Sequence, residues 1–380
     1  MSGVARNKPC HCGSGLKYKK CHLIIEEQLQ QSERHVSPKL EIHELQKLFD
    51  DTLFFETCIA SNLKHNEKCS DKIINAHTLT KSLSLEKIAK SGHIYSFKSN
   101  GLYDLIRNKG VVTLNKLGIR KASTFKGFCS YHDDFLFRSI EKENFELSKR
   151  QILALFYRGF ALEYYKKKGV LEHARKSFKP LLKNFDADIV HIGSLQLVAN
   201  LKRAKLDFED TVNINLKISE YLKDNETSLI ETYAIQTEYE IPFVGTGLFA
   251  LYKNIDGEVI QDIYDYDLEN LEYMSLNIFY AKDGKSWIVL SWLKKCNSIN
   301  KDFVIKLKKY SIDDQINIIG NMMILYTENC YFSIDYIDSM TPSKKRKIEK
   351  VYNDTLRGNF ESLLFPNFIF NNIEAKTFEV

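Results

Sequence analysis

Four metal-ligand side chains are packed into the thirteen residues from Cys10 to His22, and no other feature restricts this chain so tightly. Cys10 and Cys12 flank a single residue, and Cys21-His22 returns a thiolate and an imidazole. A segment this short cannot bury a core of its own, so an ion must fold it, and a Cys3His donor set predicts tetrahedral zinc. Gly13 and Gly15 let the backbone turn back between the two pairs. In metal-folded peptides such binding is worth roughly 10–16 kcal/mol, enough to order a segment of this length.

The run Arg6-Asn7-Lys8-Pro9 followed by C-x-C-G-S-G-x-K-Y-K-x-C-H resembles the SEC-C motif, the zinc-binding tail of the preprotein-translocase ATPase SecA that also occurs on many unrelated bacterial proteins. The resemblance implies that Cys10, Cys12, Cys21 and His22 carry the metal and that Gly13, Ser14 and Gly15 form the turn. It covers residues 6–22 and departs from the usual pattern at His11, where Pro is common, and at Leu16, where Lys is common. Neither departure removes a ligand. In SecA the motif docks a chaperone. This chain has no ATPase motif, so the resemblance implies a metal and a protein-docking handle, not that partner.

A second group of ligands is spread over a longer span. Six of the eight cysteines lie at or before Cys129, and beyond the first motif these are Cys58, Cys69 and Cys129. Cys129 and His132 are three apart, so a helical turn points both at one ion. A Cys…Cys pair completed by a distant C-x-x-H is the ligand order of a treble-clef zinc site, which brings the expected number of structural zinc ions to about two. Cys296 and Cys330 stand alone in apolar surroundings and are expected to be buried thiols.

Residues 58–137 resemble the HNH-type (ββα-metal) nucleases. That resemblance places His77, eight residues after Cys69, where the general base activates water, and has Asp133 or Asp134 help His132 or a water hold Mg2+ or Mn2+. The chain departs from the pattern in three ways. The Cys pair is separated by ten residues, His77 lacks an acidic or His neighbour before it, and about fifty residues lead to Cys129. The residues leave two further readings of His77 open: a structural ligand replacing one of the four, or a hydrogen-bonded core histidine.

The rest of the chain reads as ordinary secondary structure. Leu23–Gln31 and Lys39–Phe55 suggest helices separated at Ser37-Pro38. Ser148-Lys149-Arg150-Gln151 is a capping box opening a helix with Ile152, Leu155, Phe156 and Phe160 on its apolar stripe, closed near Lys166-Lys167-Lys168-Gly169. A second long helical region spans Ile189 to Leu222 with a break near Asp207. At about residue 229 the apolar period changes from 3.6 to 2, and Asp256-Gly257 and Asp283-Gly284 signal hairpins, predicting an antiparallel sheet of four to six strands. Gly245-Thr246-Gly247 lacks the Lys-Ser/Thr of a phosphate-binding loop and reads as a turn. Ser311–Tyr326 reads as an amphipathic helix. Thr341-Pro342 reads as the N-cap and first position of a helix whose Lys344-Lys345-Arg346-Lys347 run forms a solvated face or touches phosphate.

These patterns predict an α+β protein. Its parts are a zinc knuckle (1–24), a helical linker (25–57), a treble-clef-like Cys/His module (58–137), a helical segment (138–225), and an α+β domain with an antiparallel sheet and flanking helices (226–380). No apolar run approaches the ~18–20 residues that span a bilayer, and residues 1–6 show no signal-peptide core, so a cytoplasmic protein without a membrane partner is expected. The net charge of +5 permits a nucleic-acid surface without demanding one. The function expected is that of a zinc-binding scaffold engaging nucleic acid or a protein partner. The alternative is a metal-dependent HNH-like nuclease acting in bacterial defence against foreign nucleic acid.

Overall fold

The computed structural model describes residues 6–9, 16–20, 23, 47, 55–63, 68–70, 72–98, 102–182, 187–224, 229–263, 271–356 and 375–380. Cys10, Cys12, Cys21 and His22 lie outside the described residues, as do nearly all of the two helices expected before Phe55. The chain divides into two units. One comprises Met1–Phe55 and Tyr164–Asn213, the other Glu56–Glu163 and Ile214–Val380.

The larger unit holds ten described strands: β1 (Ile73–His77), β2 (His93–Phe97), β3 (Leu114–Gly118), β4 (Thr124–Cys129), β5 (Ile230–Thr237), β6 (Phe243–Ala250), β7 (Tyr273–Tyr280), β8 (Ser286–Leu293), β9 (Cys330–Phe332) and β10 (Ala375–Glu379). Eight of them make one antiparallel sheet in the order β10-β5-β8-β7-β6-β9-β2-β3, while β1 and β4 pair only with each other. The sheet exceeds the expected four to six strands because β2 and β3 reach it from residues 93–118 and β9 and β10 from far downstream. The Asp283-Gly284 signal holds, with Gly284 at φ +84° between the paired β7 and β8. Asp256-Gly257 also turns, with Gly257 at φ +86°, but only the single bridge Lys253–Val259 flanks it.

The longer helices are α1 (Leu102–Arg107), α2 (Ser130–Glu141), α3 (Lys149–Leu182), α4 (Ala187–Asp224), α5 (Ile299–Leu307), α6 (Ile312–Tyr326), α7 (Ile334–Ser339) and α8 (Pro342–Leu356). The capping box at the start of α3 is reciprocal: Gln151 N donates to Ser148 Oγ (3.4 Å) and Ser148 N to Gln151 Oε1 (3.3 Å). Two expected stops do not occur. Helix α3 runs through Gly169, and α4 is unbroken at Asp207, because an isolated Gly or Asp lowers helix propensity by about 1 kcal/mol or less, which packing overrides.

Helix α6 is not amphipathic in place, since every residue from Gln315 to Leu325 is buried. It lies on β6, where Gly245-Thr246-Gly247 turns out to be mid-strand and not a turn. A Cβ on Gly247 would stand 2.7 Å from Thr327 Cγ2, so glycine is what lets the strand and the end of this helix approach. Around this contact, Met274, Leu276, Ile288, Leu290, Ile319 and Met322 form part of one continuous core. Each such side chain contributes roughly 1.5–3 kcal/mol by leaving water. Cys330 is buried in it as expected. Cys296 is not: it follows β8 in a polar turn whose next residue, Asn297, has φ +56°, and it is exposed.

In the smaller unit, the described residues from Tyr164 to Asn213 are helical. Tyr164 packs near Phe208 (centroids 5.2 Å apart), and Leu171 clusters with Leu201 and Ala204, the register of two antiparallel helices. Tyr18 packs against that cluster. Around it, Pro9 and Lys17 form an antiparallel bridge, Tyr18 N donates to Lys8 O (2.8 Å) and Lys19 N to Arg6 O (3.0 Å). The residues on either side of Cys10–Gly15 are thereby held side by side. Among the described residues, no helix is long and apolar enough to cross a membrane.

Candidate metal centre

Cys58, Cys69, Cys129 and His132 converge in the larger unit with their ligand atoms all within 4.8 Å of one another. Each arrives for a local reason. Residues 56–58 run beside β4, tied by Thr57 N donating to Lys126 O (3.1 Å) and by an ion pair from Lys126 to Glu56, so Cys58 reaches the far end of that strand. The pairing of Ile73 with Cys129 sets the residues just before β1, which include Cys69, against the same point. Cys129 caps α2, and His132 sits in the helix's first turn, buried.

His132 Nδ1 lies 3.4 Å from Cys58 Sγ and 3.4 Å from Cys129 Sγ. A tetrahedral ion with bonds of about 2.3 Å to sulfur and 2.0 Å to nitrogen places its S and N ligands about 3.5 Å apart, so the set fits a metal ion. The electrostatics agree. Burial opposes ionisation of Cys129, but backbone N–H groups of Ser70 and His132 and the Cys58 and Cys69 thiols outweigh it, holding Cys129 below the ordinary thiol value. Cys58 is pushed up to about 12 by burial and by the neighbouring Cys129 charge. Cys129 is thus the thiolate of the pair beside a neutral Cys58, and a cation between them would let both ionise.

Apolar packing backs the site. Phe128 of β4 meets Phe137 of α2 edge-on (5.2 Å), and Phe128 also contacts Tyr157 of α3 (6.2 Å). Gln151 then ties the end of α2 to the start of α3, its Nε2 donating to Ser139 O (2.9 Å) and Asn144 O (2.7 Å).

His77 is outside the ligand set. It ends β1 opposite Thr124, half-buried, and no hydrogen bond to its ring is found among the described residues. Burial lowers its pKa from 6.5; Glu141 works against that, and Arg158 and Lys81 add to it. The two carboxylates flagged by the sequence part company. Asp134 is taken up by Arg138 and Lys142 (2.5 Å), which hold it below the usual carboxylate range. Asp133 is pushed up to about 6 by burial, with Arg158 opposing, and its Oδ1 is buried without a hydrogen-bond partner.

Arg158 and Glu141 were not flagged by sequence reasoning. Arg158, 3% exposed, is ion-paired to Glu141 and lies over the Phe137 ring (4.2 Å to the centroid). Its signal was present: a charge inside the apolar stretch Ile152–Phe160 must be paired if that face is buried.

These features define a chain with a largely buried Cys3His set able to hold a metal ion in its larger unit and a second ligand-rich motif at its N-terminus. The family model for the SEC-C motif matches residues 6–23, so that second element is a SEC-C motif, a metal-binding module. Comparison with curated proteins found no match, and neither did comparison with solved structures.

Proposed function

We propose that the protein is a zinc-folded binding scaffold, with one ion held by Cys10, Cys12, Cys21 and His22 and a second by Cys58, Cys69, Cys129 and His132, and that it engages nucleic acid. The observation that carries this is the closure of the second set: three sulfurs and one nitrogen converge, all but the partly exposed Cys69 buried, in the donor pattern of structural zinc, which leaves no open position for substrate. Metal analysis of the purified full chain tests it. About two zinc ions per chain are expected, and fewer than one overturns the reading.

A second reading, metal-dependent phosphodiester hydrolysis at His77, is favoured by one specific observation. His77 is spared from the Cys3His set while Asp133 keeps a buried oxygen without a partner. A ring kept neutral at pH 7 suits a base that takes a proton from water. Asp133 would be the oxygen ligand toward Mg2+ or Mn2+, an ion that supplies charge neutralisation on the phosphate. Incubating the zinc-loaded protein with plasmid DNA and with RNA plus either ion tests this reading. Cleavage that His77→Ala abolishes supports it, and no cleavage, or equal cleavage by the variant, rejects it.

A further inference from the structure

The last strand of the sheet and helix α8 are joined in register. Val112 N donates to Asn353 Oδ1 (2.8 Å) and Asn353 Nδ2 to Val112 O (2.7 Å), Leu114 N donates to Glu349 Oε1 (3.0 Å), and Lys116 and Lys345 both reach Asp338 (3.7 and 3.8 Å). Two residues forward along the strand match four residues back along the helix at each step. The match follows from geometry, since two strand residues rise about 6.8 Å and four helical residues about 6 Å. The stack of Phe97 on Tyr352 (4.0 Å) fixes the pair to the core.

This register brings two distant cationic stretches to one place. The Lys116–Lys121 end of β3 and its following turn lies beside the first turns of α8. Lys116, Arg120, Lys121, Arg346 and Lys347 are exposed, and Lys344 is partly so. Among the described residues, Lys116 and Lys345 on this face pair with Asp338, and Lys350 pairs with Asp354. Arg120, Lys121, Lys344, Arg346 and Lys347 have no carboxylate partner among the described residues. Elsewhere on the same unit, Lys301, Lys306 and Lys308 each have one.

Stability does not account for the arrangement. A helix N-terminus carries partial positive charge and favours acidic side chains. Helices α5 and α6 follow that rule, with Asp302 and with Asp313 and Asp314 in their first turns. The first turn of α8 has no acidic residue, and Lys344 to Lys347 are four consecutive cations across its first two turns. Chain connectivity adds direction. Lys121 is three residues from Thr124, the residue paired with His77.

We propose that the face formed by Lys116, Arg120, Lys121, Lys344, Arg346 and Lys347 docks the phosphodiester backbone of nucleic acid, tracking from α8 along the end of β3 toward His77. The inference rests on the nucleic-acid part of the reading above and assigns it a surface; it holds whether or not His77 cuts.

The test is fluorescence anisotropy of the full, zinc-loaded chain with a labelled duplex of about 20 base pairs and single strands of equal length, in a salt series without added Mg2+ or Mn2+. The triple variant Lys344→Ala/Arg346→Ala/Lys347→Ala should bind the duplex at least ~10-fold more weakly at about 100 mM NaCl, with a log–log salt slope shallower by about 2.7, the release expected from three phosphate contacts. Removing these charges relieves repulsion in the helix, so the melting temperature and zinc content should not fall, and lost binding cannot be assigned to unfolding. Lys301→Ala/Lys306→Ala/Lys308→Ala, which removes paired cations, should stay within about twofold of wild type. Equal affinity and slope in the first variant overturn the surface while leaving nucleic-acid binding standing. A wild type that binds no nucleic acid at about 50 mM NaCl, or that binds phosphatidylserine vesicles in its place, overturns both. The zinc-scaffold reading is scored separately, by metal content.

Discussion

The two ligand sets use the same chemistry at opposite ranges. In the SEC-C segment the ligands span thirteen consecutive residues and the chain closes on itself, with Pro9 bridged to Lys17. In the larger unit the ligands come from a segment beside β4, from the residues before β1, and from the β4–α2 junction, with Cys58 and His132 separated by 74 positions. A short loop has little besides the metal to order it. The long-range set sits on Phe128, Phe137 and Tyr157, which are fully buried, so there a bound metal and the apolar core would support one another. Losing one ion should therefore be a local event and losing the other a global one.

The sharpest way to break that contrast is to remove one ligand from each. Cys129→Ser should lose one zinc per chain and destabilise the larger unit by several kcal/mol, since metal binding free energy that is also folding free energy is lost. Cys12→Ser should also lose one zinc but leave the main melting transition within about 1 kcal/mol of wild type. Metal analysis with calorimetry or denaturant melts measures both. Equal destabilisation by the two variants would end the distinction between a local and a fold-spanning site.

How much of each site the sequence revealed follows from the same difference in range. Cys10 to His22 can be read directly, because every constraint sits inside one turn of chain. The Cys58/Cys69/Cys129/His132 set could be assembled by ligand type, but not its surroundings. That β1 and β4 pair across the intervening β2 and β3, which leave to join the sheet, depends on pairings up to hundreds of residues apart, such as Tyr95 with Phe332. Local periodicity carries no record of such partners. The same limit explains Gly245-Thr246-Gly247: glycines that read as a turn are there because Met323 and Thr327 press on the strand from another element. Arg158 was passed over because its partner Glu141 sits 17 positions away on a different helix.

A smaller effect tests how the β1–β4 pair of the second site is fixed to the sheet. Tyr331 Oη accepts from Ser123 N (2.6 Å) and donates to Asn329 Oδ1 (2.7 Å), while Asn329 Nδ2 donates to Thr78 Oγ1 (2.7 Å), all of them buried. Ser123 is held at φ +57°, a conformation that serine rarely adopts, just before β4 begins. Tyr331→Phe strips a buried N–H of its acceptor and should cost about 1–3 kcal/mol. Zinc content should be unchanged. A variant that loses zinc along with stability would show that the sheet holds the ligands in place, and the two roles could no longer be separated.

The smallest expected effect concerns His77, which sits on the β1–β4 pair beside the second ligand set but outside that set. Burial, the largest influence, sets its folded pKa below the 6.5 of an exposed imidazole; Glu141 opposes this and Arg158 and Lys81 reinforce it. Between the folded and unfolded values the unfolded chain binds more protons, so stability rises with pH across that window. The neutral ring's contribution is thus present above about pH 6.5 and is lost as pH falls through 6.5 toward the folded value. His77→Gln cannot titrate, so the gap in unfolding free energy between about pH 7 and pH 5 should be smaller in the variant than in wild type by a fraction of a kcal/mol, the half-exposed ring being partly screened. Protonation of the cysteine ligands is common to both proteins and cancels in the comparison. Denaturant melts at the two pH values decide it: an identical gap would mean that His77 titrates as an exposed histidine does, which would also remove the physical basis for treating it as a poised base.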